Sequence, residues 1–284
     1  MKIHHLDCGR MATIFPRIVL GAVGPSLRHM VCHCLLIETP RDGLVLVDTG
    51  YGTDQLAQPR VQLGRLFLSV ARPDLNPAAT AIARIRALGH DPADVRHIVL
   101  THLDVDHAGG LPDFPAAQVH VMAREREAAL AARGRHRMRY RPESWAHQPR
   151  WHLHADPAGE RWLGFDAVRP LPGVDPDLLL VPLAGHSPGH CGVAVRGQDD
   201  RWRLHAGDAY FHRATVAPDG DRPPLGLRIF EAFTQTTASL RRRNQQRLRT
   251  LASEHPDQVA VFCAHDTVEL HRFQPGGEFS QILR

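Results

Sequence analysis

The sequence predicts an α/β fold with strands in two groups and helices outside them, an arrangement that fits a four-layer αβ/βα sandwich. Three observations predict it. Short apolar runs alternate with helix-like periods along the chain, and several of those runs stop at polar clusters. No stretch of about 18 apolar residues occurs anywhere, so membrane-spanning folds are not expected. Periodicity alone does not separate the sandwich from other α/β arrangements. With 284 residues and 43% hydrophobic content the chain can fill a sizeable core, and residues 1–284 read as one domain.

The elements follow in order. Residues 31–38 and 44–48 read as strands, joined by a turn at 39–43 that contains Pro40, Asp42 and Gly43. Residues 77–88 have a helical pattern, with Ile82 and Ile85 on one face and Gly89 as the stop. Residues 95–101 carry the β-branched content of a strand, and 119–122 read as another. An Ala/Glu/Arg helix is expected at 124–133. Residues 135–157 show no clean period and read as an insertion or lid. Strands are expected at 178–183, 192–196, 201–205 and 259–263, with a helix at 238–255. Gly21 and Gly24 lack a strand-to-helix context, so they mark a loop and not a nucleotide fingerprint.

Formal charge is +4 and the pI is near 9.0, but much of the excess is local. Residues 133–150 carry Arg133, Arg135, Arg137, Arg139, Arg141 and Arg150, interleaved with Tyr140 and Trp145 and followed by Trp151. Such a segment can stack bases and pair phosphates. A lid over a cleft, with arginine stems lying on rings, is preferred because no recognised nucleic-acid module accompanies it. The five cysteines form no even framework; Cys32 and Cys34 share one face of a strand, as reduced buried thiols of a cytoplasmic protein would. No secretion signal is evident.

The chemistry concentrates after the strand at 95–101. His102, Asp104, Asp106 and His107 place four metal-competent side chains within six residues, and Gly109, Gly110 and Pro112 then break the backbone into a turn. Imidazole and carboxylate donors at this spacing suit zinc, iron or manganese. Further donors also follow short apolar segments: His186 and His190 after 178–183, Asp208 after 201–205, and His265 after 259–263.

In this order, and with Asp48, Thr49 and Gly50 closing the strand at 44–48, the motifs resemble the metallo-β-lactamase superfamily of hydrolases. That family includes β-lactamases, glyoxalase II-type thioesterases and N-acyl homoserine lactonases, and the resemblance runs from about Cys34 to His265. It supplies the choice of the four-layer sandwich, with ligands on loops at one edge. It implies two divalent ions, zinc first and iron or manganese as alternatives. His102, Asp104 and His186 would surround one, and Asp106, His107 and His265 the other, with Asp208 bridging. His190 becomes a supporting or pocket group, and His205 and His212 are weaker candidates for support. His4, His5, His29 and His33 read as solvated or structural.

One ligand departs from the family pattern. Asp104 stands where a second histidine is usual, which changes the charge and softness of the first site. It either binds the ion as a carboxylate or points away and leaves a mononuclear site. The implied reaction is attack by a metal-bound hydroxide on a small ester or lactone, with Asp106 orienting it and passing a proton to the leaving group. In the lactonase branch a tyrosine lies three residues beyond the bridging aspartate; here Phe211 occupies that place. Tyr210 is the candidate for its role, against burial on the sheet. A thioesterase or β-lactam hydrolase, or a nucleic-acid-processing protein using the Arg/Trp segment, are the alternatives. No Gly-x-Ser-x-Gly elbow supports a serine hydrolase.

Overall fold

The computed structural model describes residues 1–12, 20, 29–155, 159–175, 177–218 and 221–274. Gly21 and Gly24 lie outside them, as do residues 156 and 157. The first sheet holds β1 (Lys2–Met11), β2 (Met30–Glu38), β3 (Leu44–Val47), β4 (Val95–Val99), β5 (Gln118–Met122) and β6 (Arg150–His154), in chain order. The second runs β12-β11-β10-β9-β8-β7, where β7 is Glu160–Trp162, β8 Phe165–Pro170, β9 Leu178–Pro182, β10 Cys191–Arg196, β11 Trp202–His205 and β12 Val259–Phe262.

Side-chain alternation gives the central strands two buried faces. On β2 and β3, Leu35, Ile37, Val45 and Val47 point at the second sheet, where they meet Leu178, Leu180, Val193 and Phe262. Their neighbours Leu36 and Leu46 point the other way, into a core closed by Ile85 of the helix Ala81–Ala87. The outer face of the second sheet packs Leu204 and Val259 against Leu248 and Leu251 of the helix Ala238–Glu254. Helix, sheet, sheet and helix therefore form four layers. Each fully buried aliphatic side chain contributes about 1.5–3 kcal/mol, so the inter-sheet layer is a strong clamp on relative sheet position.

Two expectations need correction. The segment read as a lid from 135 to 157 is divided: residues Arg150–His154 are β6, paired in parallel with β5 at the sheet edge, and only the part before them crosses the cleft, through the 3₁₀ turns Gly134–Met138 and Pro142–Trp145. An edge strand with Trp151 half-buried and Leu153 exposed gives no alternation to read. β1 was also unexpected, because histidines fill apolar places in it. His5 stacks on Phe273 with ring centroids 4.1 Å apart and meets His33 at 2.8 Å, a structural role for both. His4 pairs with Glu38 at 2.7 Å on the sheet edge. All five cysteines are buried, and none forms a disulfide. No helix among the described residues is long and apolar enough to cross a membrane.

A candidate metal centre at the strand ends

Each donor follows the end of a strand, because β3, β4, β9, β11 and β12 all direct their carboxyl ends to one edge of the sandwich. A backbone bond from Cys191 N to Thr101 O, 2.9 Å, ties the two sheets together at that edge. Asp48 and Gly207 supply the turns. Asp48 adopts a left-handed backbone, φ 54°, unusual for a residue with a side chain, and the carboxylate so aimed accepts from Thr101 N and Thr101 Oγ1, both at 2.8 Å. Gly207 has φ 52°, and a Cβ there would lie 2.6 Å from His190 Nε2. Only glycine lets the chain swing Asp208 inward past that ring.

The residues anticipated from the sequence converge as two groups. His102, Asp104, His186 and Asp208 offer ligand atoms within 4.8 Å of one another, and so do Asp106, His107 and His265. Asp208 lies between them: its Oδ2 is 3.4 Å from His186 Nε2 and 3.7 Å from His102 Nε2, while its Oδ1 is 3.0 Å from His265 Nε2 and 3.3 Å from His107 Nε2. Asp104 points inward, with Oδ2 3.1 Å from His186 Nε2. Asp106 Oδ2 lies 3.7 Å from His265 Nε2.

Hydrogen bonds on the far side of each ring decide which nitrogen faces the centre. His107 Nδ1 lies 2.8 Å from Asp48 Oδ2, and His265 Nδ1 lies 2.7 Å from Val31 O. Each Nδ1–H donates outward, leaving the Nε2 lone pair inward. His102 Nδ1 meets Thr101 Oγ1 at 3.0 Å. His190 is a support: its Nε2 accepts from Asp208 N at 2.9 Å and its Nδ1 meets Leu183 O at 3.2 Å. His205 braces the same turn, donating to His33 O at 2.6 Å and accepting from Gly207 N at 3.2 Å. His212 caps the 3₁₀ turn Arg213–Thr215. Asp48 was visible in the sequence as a strand-end motif, but nothing there assigned it to His107.

These residues fit a divalent cation. His107 Nε2 and His265 Nε2 face each other at 3.3 Å, where at most one can hold a proton usefully, and the fully buried His102 Nε2 meets carboxylate oxygens only at 3.5 and 3.7 Å. Buried carboxylates need positive charge nearby. Burial acts to lower His107 and His265, but the Asp208 carboxylate overrides it and raises both, so the cluster attracts protons to the very nitrogens that an ion would use.

Tyr210 requires correction. Its ring is fully buried and its hydroxyl donates to Glu269 at 3.1 Å, on the side away from the centre. Phe211, the next residue, faces the centre and stacks on His265 with centroids 5.3 Å apart and planes 6° apart. One residue of offset across a turn reverses which side chain points inward.

Over the donors opens a cavity of about 350 Å³. Its walls are Met11, Met30, Phe67, Val70, Phe230 and Phe233, and its polar floor is the donor cluster. Helices at Arg65–Ala71 and Leu225–Thr234, neither anticipated from the sequence, supply most of the aromatic wall. The basic segment turns inward: Arg141 donates to Gln62 O and Val61 O at 2.7 and 2.6 Å, and Arg139 reaches Asp104. Arg126 lies over Trp151, 4.9 Å from the ring centroid, so the packing of arginine on rings occurs from the neighbouring helix.

A family model described as the metallo-beta-lactamase superfamily matches residues 27–255. A protein named as a probable metallo-hydrolase in Mycobacterium bovis is 44% identical over 94% of this chain and 80% of its own length. An N-acyl homoserine lactonase, AttM, of Azorhizobium caulinodans is 32% identical over 81% of this chain and 80% of its own. Among solved structures, an N-acyl homoserine lactone hydrolase with product bound at its metal centre superposes with a TM-score of 0.69 at 22% identity, covering 94% of this chain and 93% of that one, a likeness of fold.

Proposed function

Given that the chain belongs to the metallo-beta-lactamase superfamily and is a hydrolase, we propose that it opens a small lactone or ester bearing an apolar acyl group. The observation that carries this reading is the cavity itself, whose apolar walls descend to a floor of imidazoles and carboxylates. His102, Asp104 and His186 would hold one divalent ion and Asp106, His107 and His265 a second, with an oxygen of Asp208 offered to each. Zinc suits the imidazoles, and the three carboxylates leave room for iron or manganese. When bound, such an ion supplies a Lewis acid that polarises a carbonyl and brings the pKa of water from about 15.7 towards about 7.

The protein's own groups do the rest. Phe211, Phe230 and Met30 line the space beside the donors and exclude water from an acyl chain. Asp106, on the cavity floor, orients the attacking water and takes its proton as the oxygen adds to the carbonyl carbon. When the acyl carbon–oxygen bond breaks, the leaving alkoxide receives that proton from Asp106. Both steps conserve charge within the closed floor. The relatives named as lactonases support the same substrate class. Five buried cysteines outside any disulfide suit a reducing compartment, so we place the protein in the cytoplasm.

The test joins elemental analysis to a panel of γ-lactones, acyl esters, thioesters and β-lactams. Lactones and esters with medium apolar chains are expected to be cleaved, with activity lost in a chelator and restored by divalent metal. Preference for thioesters or β-lactams, or hydrolysis indifferent to chelation, would overturn the reading.

A further inference from the structure

The first donor group already contains a cation. Arg139, at the end of the 3₁₀ turn Gly134–Met138, sets Nε 2.7 Å from Asp104 Oδ1 and Nη2 2.7 Å from Asp104 Oδ2. The same Nη2 lies 2.6 Å from His186 Nε2. Nη1 donates to Thr234 O at 2.8 Å and to His186 O at 3.2 Å. The guanidinium is thus held on all sides, twice by backbone carbonyls, and an isolated β-bridge between Asp104 and Tyr140 fixes the turn that carries it.

Two consequences follow. The Nε2 lone pair of His186 can serve a hydrogen-bond donor or a metal ion, not both, and the bidentate carboxylate of Asp104 is likewise engaged. Asp104 and Arg139 together also carry no net charge, as a neutral histidine would. The exchange of histidine for aspartate at 104 is therefore compensated by an arginine 35 residues away rather than left as an extra negative charge at the centre.

We propose that Arg139 is a positioning residue that competes with a divalent ion for Asp104 and His186, so that the two ion positions are unequal. The position at Asp106, His107 and His265 fills first. The one at His102, Asp104 and His186 fills only as the guanidinium yields, and because Arg139 also anchors the end of the helix Leu225–Thr234, its filling is linked to the cavity wall. This inference rests on the reading that both groups bind ions.

Metal-free protein titrated with Zn²⁺ against a chromophoric chelator tests it, with Mn²⁺ paramagnetic resonance as a second readout. Wild type is expected to show one tight and one weaker ion, and an uncoupled Mn²⁺ signal at one equivalent. Arg139→Met should tighten the weaker position by about 10-fold, the scale on which groups outside the ligand set act. Should that variant fold poorly, Asp104→His decides: with Arg139 kept, an unpaired guanidinium faces three imidazoles and the weaker position weakens further, whereas D104H alone tightening it would overturn the proposal. Equal affinities in wild type, or an Arg139→Met titration identical to wild type, would overturn it too while leaving the hydrolase reading intact. Protein that binds no ion at all would sink both.

Discussion

The two donor groups share Asp208 and little else. In the group of Asp106, His107 and His265, the imidazoles are pinned by the scaffold itself: His107 by Asp48 at the end of β3 and His265 by Val31 O on β2. In the group of His102, Asp104 and His186, only His102 has such a brace, from Thr101 Oγ1, while Asp104 and the inward nitrogen of His186 are held by Arg139, delivered by the excursion that crosses the cleft between Ala131 and β6. One group is preorganised by sheet geometry and the other depends on a segment outside the sheets. Preorganisation of ligands lowers the reorganisation needed for an ion to bind, so the same donor chemistry is expected to yield different affinities.

The largest effects should fall where the groups meet. Asp208→Ala removes the shared carboxylate and leaves four imidazoles facing an empty corner; hydrolysis should fall on the order of 10³-fold, equivalent to several kcal/mol of transition-state stabilisation, with ion content reduced in both groups. Loss confined to one ion, measured by elemental analysis, would show that Asp208 does not serve both.

Next comes Asp48→Asn. It keeps the side-chain shape but removes the charge that fixes the His107 tautomer, and about 10- to 100-fold weaker binding of the tighter ion is expected, with a smaller loss at the weaker ion, which Asp48 reaches only through Thr101 and His102. A uniform loss at both positions would erase the distinction drawn between them.

Phe230→Ala probes the wall rather than the floor. Phe230 packs edge-on to Phe211 with centroids 5.2 Å apart. Its removal should raise KM for substrates with medium acyl chains by about 10-fold, within the 1–3 kcal/mol typical of a hydrophobic subsite, and leave short-chain substrates nearly unaffected. Equal changes for both chain lengths would place the acyl group elsewhere.

The smallest effect concerns stability alone. Burial, with Asp266 adding to it, raises Glu269 to about 8. A carboxyl group raised above its unfolded value favours the folded state fully below about pH 4.5, and that contribution is lost as pH rises to about 8. Wild type should therefore lose thermal stability across this window, and Glu269→Gln, which still accepts from the Tyr210 hydroxyl, should flatten the decline. A parallel decline in the variant would show that other groups cause it.

How far the sequence could be read depended on the kind of signal. The strands at 31–38, 44–47, 178–182 and 259–262 were legible because each is apolar on both faces and ends in a turn or a polar cluster. β1 was hidden by histidines that pack on phenylalanine as hydrophobic rings do, and β6 by its edge position. The helix Leu225–Thr234 was missed because its apolar residues serve three surroundings and make no single core stripe: Leu227 enters the core, Phe230 and Phe233 line the cavity, and Leu225 and Ile229 are exposed. Tyr210 and Phe211 show the limit at one-residue resolution: adjacent rings on a turn point in opposite directions, and no period applies there.

The inventory of donors and their places after strands were fixed by local chemistry: β-branched runs make strands, glycine and proline end them, and side chains at those ends are free of the sheet's packing. Which donors share a cavity was decided when the two sheets packed together, that Asp48 stands behind His107 by the parallel pairing of β3 with β4, and that Arg139 meets Asp104 by the path of the excursion between β5 and β6. Those contacts join residues 35 to 59 positions apart, or more, and their geometry depends on sheet spacing and turn direction, which no local pattern of residues encodes.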